Sequence, residues 1–412
     1  VVDFEKYVLD NGLKVLLNVD RNTPLAAFNM MYNAGSKNEN ENKTGLAHLF
    51  EHLMFSGFEN VDSFDFFTQM AGAENNAFTN NDVTDFYITI PSVNLETAFW
   101  LESERMQNIR LKPRQFSNEK KIVIEEFKET VLNIPYGDVW HHISEMSFKN
   151  HPYNWPTIGK SIEHIKSIEI GDVMDFYNNF YNPKNAILSI SGNVDPLKIE
   201  EMAQKWFGCI SKNGNSSSKL IPVEPPQSGL NERVLTDDVP SNAIYLAFHV
   251  SGRKDKEFYT HDMISDILGR GRSSRLYQKL VKENEYFTEL HCYITGSMDP
   301  GLLIIEGMVS DKTKVSVAEK SLFDELERLK TVGVEEQELQ KLKNKVENQI
   351  TFEEAGILNK AINLAQFELL GDSSSINSQI DLYRQVGPEM VMEEVDNIFK
   401  HSNCSKLIYL KK

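Results

Sequence analysis

Apolar residues near the start of the chain fall into short alternating or clustered runs, "FEKYVLDNGLKVLLNVD" and then "LAAFNMMYNAGS", which predict strands. The pattern then switches to a helical period in "TGLAHLFEHLMF". The same order of events returns in the second half, where "ERVLTDDV" and "AIYLAFHVSGR" read as strands and "FYTHDMISDILG" as a helix. Amphipathic helices follow in each half, "NLETAFWLESERMQNI" in one and "VAEKSLFDELERLKTV" in the other, and the first half closes on strand "NAILSISGNV" and helix "PLKIEEMAQKWF". This pattern predicts an α+β fold built from two homologous, α/β-sandwich-like domains, each a mixed, mostly antiparallel sheet with helices.

Hydrophobic periodicity fades in "SKNGNSSSKLIPVEPPQSGLNE", where Gly, Ser, Asn and Pro concentrate. The expected division is a domain over 1–210, a linker over 211–232 and a second domain over 233–412. A length of 412 residues fits two domains of that size.

Composition narrows the function. With 41% hydrophobic and 25% charged residues the chain has a globular balance, and no apolar run reaches the roughly 18 residues of a membrane span. A net charge of −17, from 60 acids against 43 Lys and Arg, opposes binding to a nucleic-acid backbone and favours basic peptides or metal ions in any acidic cavity. Cys209, Cys292 and Cys404 are odd in number and widely spaced, so neither a disulfide framework nor a thiolate metal site is expected. That usage points to a reducing, cytoplasmic setting, with a periplasmic one as the alternative if a signal preceded Val1.

The chemistry concentrates in "GLAHLFEHLMFSG". Thr44 is the expected N-cap and Ser56-Gly57 the expected stop, leaving about three turns of helix between them. Positions three and four apart share a helix face, so His48, Glu51 and His52 project together. Two imidazoles at that spacing suit a zinc-type ion, and a neighbouring carboxylate can take the proton of a water that the metal acidifies. Peptide hydrolysis is the matching chemistry. Chance gives such spacing in roughly a few per cent of chains of this composition, so a third ligand is needed to make the case. "FSNEKKIVIEEFKET" offers one: as a helix over about 113–133 it sets Glu119 and Glu126 two turns apart on one face, beside Val123 and Phe127. An ordinary salt-bridged helix edge is the alternative for those acids.

"HLFEH" followed some seventy residues later by "EKKIVIEEFKE" resembles the pitrilysin and mitochondrial processing peptidase family, zinc metallopeptidases with an inverted motif. "ENNAFTNNDVTDFY", "HPYNWPTIG", "YNPKNAILSISGNVD" and "GRSSRLYQKL" match its pattern too, so the likeness runs along the whole chain and is nearest to short bacterial two-domain members. The resemblance implies a clamshell, one Zn2+ held by His48, His52 and Glu126, Glu51 as general base and Glu119 as a supporting acid. Glu126 rather than its neighbours Glu125 and Glu129 keeps the family's offset from Glu119. It also implies that a peptide substrate adds as a strand beside Asn76, Ala77 and Phe78, a mode in which backbone hydrogen bonds serve many sequences.

The second half departs from a working copy. "THDMISDILG" keeps only His261, expected to be a capping or core residue. Where active family members present an arginine and, seven residues later, a tyrosine, this chain has Val281 and Thr288, with Lys282 and Tyr286 out of register. The resemblance therefore implies a homodimer, or a heterodimer with a homologous chain that supplies the missing pair; a non-catalytic partner subunit and a peptide-binding module are the competing readings. "LGRGRSS" lacks the lysine and spacing of a phosphate loop and reads as a turn, and adjacent His141 and His142 face different ways on a helix.

Overall fold

The computed structural model describes residues 1–56, 58–211 and 220–412. Among these, two sheets form. The first contains β1 (Glu5–Val8), β2 (Lys14–Val19), β3 (Leu25–Tyr32), β4 (Glu74–Thr79), β5 (Thr84–Pro91) and β6 (Ala186–Gly192), in the order β1-β2-β6-β3-β5-β4. The second contains β7 (Asn231–Asp237), β8 (Ala243–Val250), β9 (Phe287–Ile294), β10 (Gly301–Val309) and β11 (Cys404–Lys411), in the order β7-β11-β8-β10-β9. One pair in each sheet is parallel, β2 with β6 and β7 with β11, and the other pairings are antiparallel. Apart from β1 the two orders superimpose strand for strand, which is the duplication read from the hydrophobic pattern.

Burial follows position in the sheet. Central β3 is buried at every residue after Leu25, whereas β4, at the sheet's end, is partly or fully exposed throughout. A strand covered on both faces reads as a near-continuous apolar run, and "AAFNMMY" is one, interrupted by the buried Asn29.

The compact units do not follow the contiguous division at 210 and 233. One comprises Val1–Lys128, Trp155–Ile221 and Thr351–Ser378, the other Glu129–Asn154, Pro222–Ile350 and Gln379–Lys412. Each half of the sequence lends a helix to the other unit. The helix Val139–Ser147 packs on β11, β8 and β7, where Val139, Ile143 and Met146 join Tyr245 and Leu407 in one core. In return Ile357–Leu370 packs on β6, β3 and β2 through a buried face that includes Ala361, Leu364 and Ala365. Its Glu368 pairs with Lys6 and Lys14, and Lys360 pairs with Asp20. The expected linker is corrected as well: Asn231 and Glu232 already belong to β7, and positions 212–219 lie outside the described residues. Cys209, Cys292 and Cys404 are free, and no described helix is long and apolar enough to cross a membrane.

Candidate metal centre

The helix Leu46–Leu53 buries Leu46, Ala47, Leu49, Phe50 and Leu53 and leaves His48, Glu51 and His52 half-buried on its other face. Phe50 anchors it against Phe176, Tyr177 and Tyr181. At eight residues it makes just over two turns rather than three. Thr44 is not the N-cap. Its hydroxyl accepts the Lys160 N–H at 2.8 Å and meets His164 Nδ1 at 2.9 Å, and the cap is Gly45 at φ +88°. Glu39, which the sequence reading passed over, takes the helix's first N–H groups instead, from Gly45 at 3.0 Å and Ala47 at 2.7 Å. Burial pushes the Glu39 carboxyl up to about 8, against the pull of these donors. Met54 closes the helix; Gly57, half of the expected stop, lies outside the described residues.

The second helix runs Pro113–Phe127 with proline in its first turn, then continues as a π-helical turn, Lys128–Leu132. Phe116, Val123 and Phe127 are buried, and the two acids beside that stripe face the first helix. His52 Nε2 lies 3.4 Å from Glu126 Oε2, His48 Nε2 lies 3.7 Å from Glu126 Oε1, and His52 Nδ1 lies 3.8 Å from Glu119 Oε2. Glu125 instead pairs with Lys128 on the exposed side, and Glu129 is exposed. The structure thus brings Glu126, not its neighbours, to the histidines.

The donor set fits zinc. One ligand atom from each of His48, His52 and Glu126 lies within 4.8 Å of the other two, the sole such group among the described residues. Ligands about 2.0–2.2 Å from a tetrahedral zinc stand roughly 3.3–3.5 Å apart, close to the two shorter separations found here. A carboxylate on the far nitrogen of a ligating imidazole, as Glu119 is on His52, orients the ring and fixes its tautomer. Ser56 in turn donates to Glu119 at 3.1 Å.

Electrostatics separate the roles. Burial holds the His48 imidazole below its usual range, so it stays neutral and ready to ligate. Glu119 and Glu126 hold His52 up to about 9 in the metal-free chain. His52 correspondingly holds Glu126 below the usual carboxylate range. Burial pushes Glu51 up, while Thr79 Oγ1 donates to its Oε2 at 2.5 Å and opposes the shift. A cavity of about 300 Å³ opens beside these groups, lined by Glu51, His52, Phe55, Ser56 and Glu119.

Thr79 is the last residue of β4, so the sheet's outer edge runs up to Glu51. Asn76, Ala77 and Phe78 lie on that strand, paired with β5 on one side only. The Ala77 N–H bonds to the Asn76 side chain at 2.8 Å.

The matching helix of the second unit, Phe258–Gly269, carries Thr260, Met263 and Ile264 at the positions that His48, Glu51 and His52 hold when both helices are counted from their first residues. His261 is buried, its Nδ1 accepting the Ser251 N–H at 3.1 Å and its Nε2 2.8 Å from Glu394, so it is a core residue that ties elements together. Val281 packs against the second core, and the Thr288 hydroxyl bonds to the Met308 carbonyl. His141 and His142 lie on Val139–Ser147 in the second unit, where His142 meets Asp138 and Arg233.

Residues 14–161 match the family described as "Insulinase (Peptidase family M16)", and residues 167–346 match the "Peptidase M16 inactive domain". The chain is 30% identical over 347 residues to the zinc protease PqqE of Helicobacter pylori, covering 82% of this chain and 77% of that one. It is 24% identical over 414 residues to the mitochondrial-processing peptidase subunit beta of Saccharomyces cerevisiae, covering 95% and 85%. A crystal structure of a protease from Helicobacter pylori superimposes with a TM-score of 0.92 at 26% identity, covering 99% and 100%. With an insulinase-type first half, a second half that matches the inactive domain and relatives named zinc proteases, this chain belongs to the M16 peptidase family.

Proposed function

We propose that this chain is a zinc-dependent endopeptidase acting on small or unfolded peptides in an enclosed chamber, with one Zn2+ held by His48, His52 and Glu126. The observation that carries this reading is the meeting of three ligand-type atoms with a half-buried, hydrogen-bonded glutamate at the end of an open strand edge. Zinc, when bound, supplies Lewis acidity toward the scissile carbonyl and toward the attacking water. The chain's own residues do the rest. An extended peptide pairs with β4 beside Asn76, Ala77 and Phe78 and so runs toward Glu51. Glu51 takes a proton from the attacking water onto its carboxylate and delivers it to the leaving amine; burial raises its affinity for that proton. Thr79 fixes which way the Glu51 carboxylate points.

The second half offers Val281 and Thr288 where the family resemblance leads one to expect substrate-gripping arginine and tyrosine, so in this reading the chain works with another copy or with a homologous chain that supplies them. Family-typical cleavage of unstructured peptides by the purified chain alone would refute that requirement.

The zinc reading is tested by metal analysis and turnover together. Purified chain should hold near-stoichiometric zinc, and His48→Ala and Glu126→Gln should lose it. Glu51→Gln should keep the metal and lose turnover by about 10²–10⁴-fold, the usual worth of a general base. Unchanged proteolysis in that variant removes Glu51 from the mechanism.

A further inference from the structure

The helix bearing His48, Glu51 and His52 has eight residues, whereas isolated helices shorter than about 12–15 residues are marginal in water. Its shape is fixed from outside. The first N–H groups of a helix lack partners within it, and a serine, threonine or aspartate at the N-cap ordinarily supplies the acceptor. Here the cap is Gly45, and no side chain fits. A Cβ on Gly45 would lie 2.7 Å from the Ile158 carbonyl oxygen, and one on Gly159, itself at φ +102°, would lie 2.8 Å from the Thr44 carbonyl oxygen. The two glycines let these backbones touch, and the acceptor comes from elsewhere.

Glu39 provides it from six residues before the cap. Oε2 accepts the Gly45 N–H and Oε1 the Ala47 N–H, while the Trp155 indole N–H holds Oε2 at 3.0 Å. Glu39 and Trp155 are both buried. The segment "WPTIG" therefore contributes the indole, the Ile158 carbonyl and Gly159 to one collar around the start of the helix.

The other end meets a buried cation. Arg105, 1% exposed and carried by the helix Leu95–Gln107, directs Nε to the Met54 carbonyl at 3.4 Å. Glu102 pairs with its Nη1, and the rings of Phe86 and Phe64 stand 4.1 and 4.3 Å from the guanidinium. Positive charge at a helix C-terminus is favourable, because the last carbonyls carry partial negative charge.

We infer that Glu39 and Arg105 are positioning residues that clamp the metal-site helix at its two ends, presetting the His48 and His52 ring nitrogens toward Glu126 before any ion arrives. Neither residue is one of the three ligand donors. The inference takes its ion from the zinc reading above; the clamp itself stands on the hydrogen bonds.

The test uses the full chain. Zinc affinity is measured by competition with a chromophoric chelator, and amide hydrogen exchange of residues 45–54 is followed in the metal-free protein. Glu39→Ala should raise the zinc dissociation constant about 10–100-fold, the usual loss when a group supporting a metal ligand is removed. It should also speed exchange in 45–54 while leaving β3 and β6 unchanged. Glu39→Gln should recover part of both, since its amide oxygen still accepts. Unchanged affinity and unchanged local exchange in Glu39→Ala overturn the clamp. If that variant does not fold, Arg105→Lys decides by the same two readouts, because it keeps the charge and loses the planar fork. If the wild type takes up no zinc, the zinc reading falls and the exchange comparison alone decides the clamp.

Discussion

In the proposed role of general base Glu51 has to be both basic and fixed, and Thr79 contributes to the second requirement. Replacing Thr79 with Val keeps the shape and removes the hydroxyl that donates to the Glu51 carboxylate. A hydrogen bond to a charged group is worth about 1.5–3 kcal/mol, so kcat/KM should fall about tenfold or more with zinc content unaltered. Steady-state kinetics with parallel metal analysis checks this. Glu119→Gln should act on the other quantity: by weakening the anchor on His52 Nδ1 it should raise the zinc dissociation constant about tenfold or more in a chelator competition. The pair His48 and His52, with Glu51 between them, was legible because helix geometry alone places such residues on one face. Glu126 needed more, since Glu125 and Glu129 have the same chemistry and only the family's offset separated them; the structure separates them by direction, turning Glu125 to Lys128 and solvent. Glu39 was not legible. It sits in a loop without periodicity, and only the close approach of Gly45 to the Ile158–Gly159 backbone reveals that the cap must come from a distance.

Helices declare an apolar stripe in sequence but not the sheet they will cover. The helix Ile357–Leu370 lies in the second half of the sequence, yet its buried face completes the first sheet. Leu364→Ala should accordingly destabilise the first unit by about 2–5 kcal/mol, the usual range for a large-to-small core change. Limited proteolysis should then show cuts rising in the first unit's sheet before the second unit's. On Phe258–Gly269, Asp266 is buried and burial pushes it up to about 6 from a usual 3.8, with Arg270 opposing. A carboxyl raised on folding gives stability that is present below the unfolded value and lost as pH climbs through the folded one. Asp266→Asn removes that loss, so its melting temperature should exceed the wild type's at pH 7.5 by a margin that shrinks toward pH 5. Two pK units set a ceiling of roughly 3 kcal/mol on the effect. Thermal melts of both proteins across that interval are the check.

The reciprocal loan of helices governs how the whole chain assembles. A fragment ending at residue 211 lacks Ile357–Leu370 and leaves one face of β6 and β3 uncovered. Expressed alone it should aggregate, and coexpressed with 220–412 it should copurify as a stable pair; size-exclusion chromatography distinguishes the two outcomes. The net charge of −17 belongs to this scale too. Arg-rich peptides should be cleaved with higher kcat/KM than Glu-rich peptides of equal length, and the gap should narrow as salt rises, since exposed charges are screened beyond about 10 Å at 0.1 M. The duplicated strand order was readable from hydrophobic alternation, because each copy repeats the same run of strands and helices. The exchange of segments was not, because it depends on which uncovered face lies within reach of a helix already formed.

The contact between Gly45 and Gly159 also bears on transplantation. Grafting "HLFEH" onto a foreign helix would carry over the donors and leave behind the interlocked backbones and remote carboxyl that seat them, so a five-residue cassette is the wrong unit of transfer. A graft has to carry Glu39, both glycines, Trp155, the helix bearing Glu126 and the Phe176, Tyr177 and Tyr181 rings on which Phe50 rests.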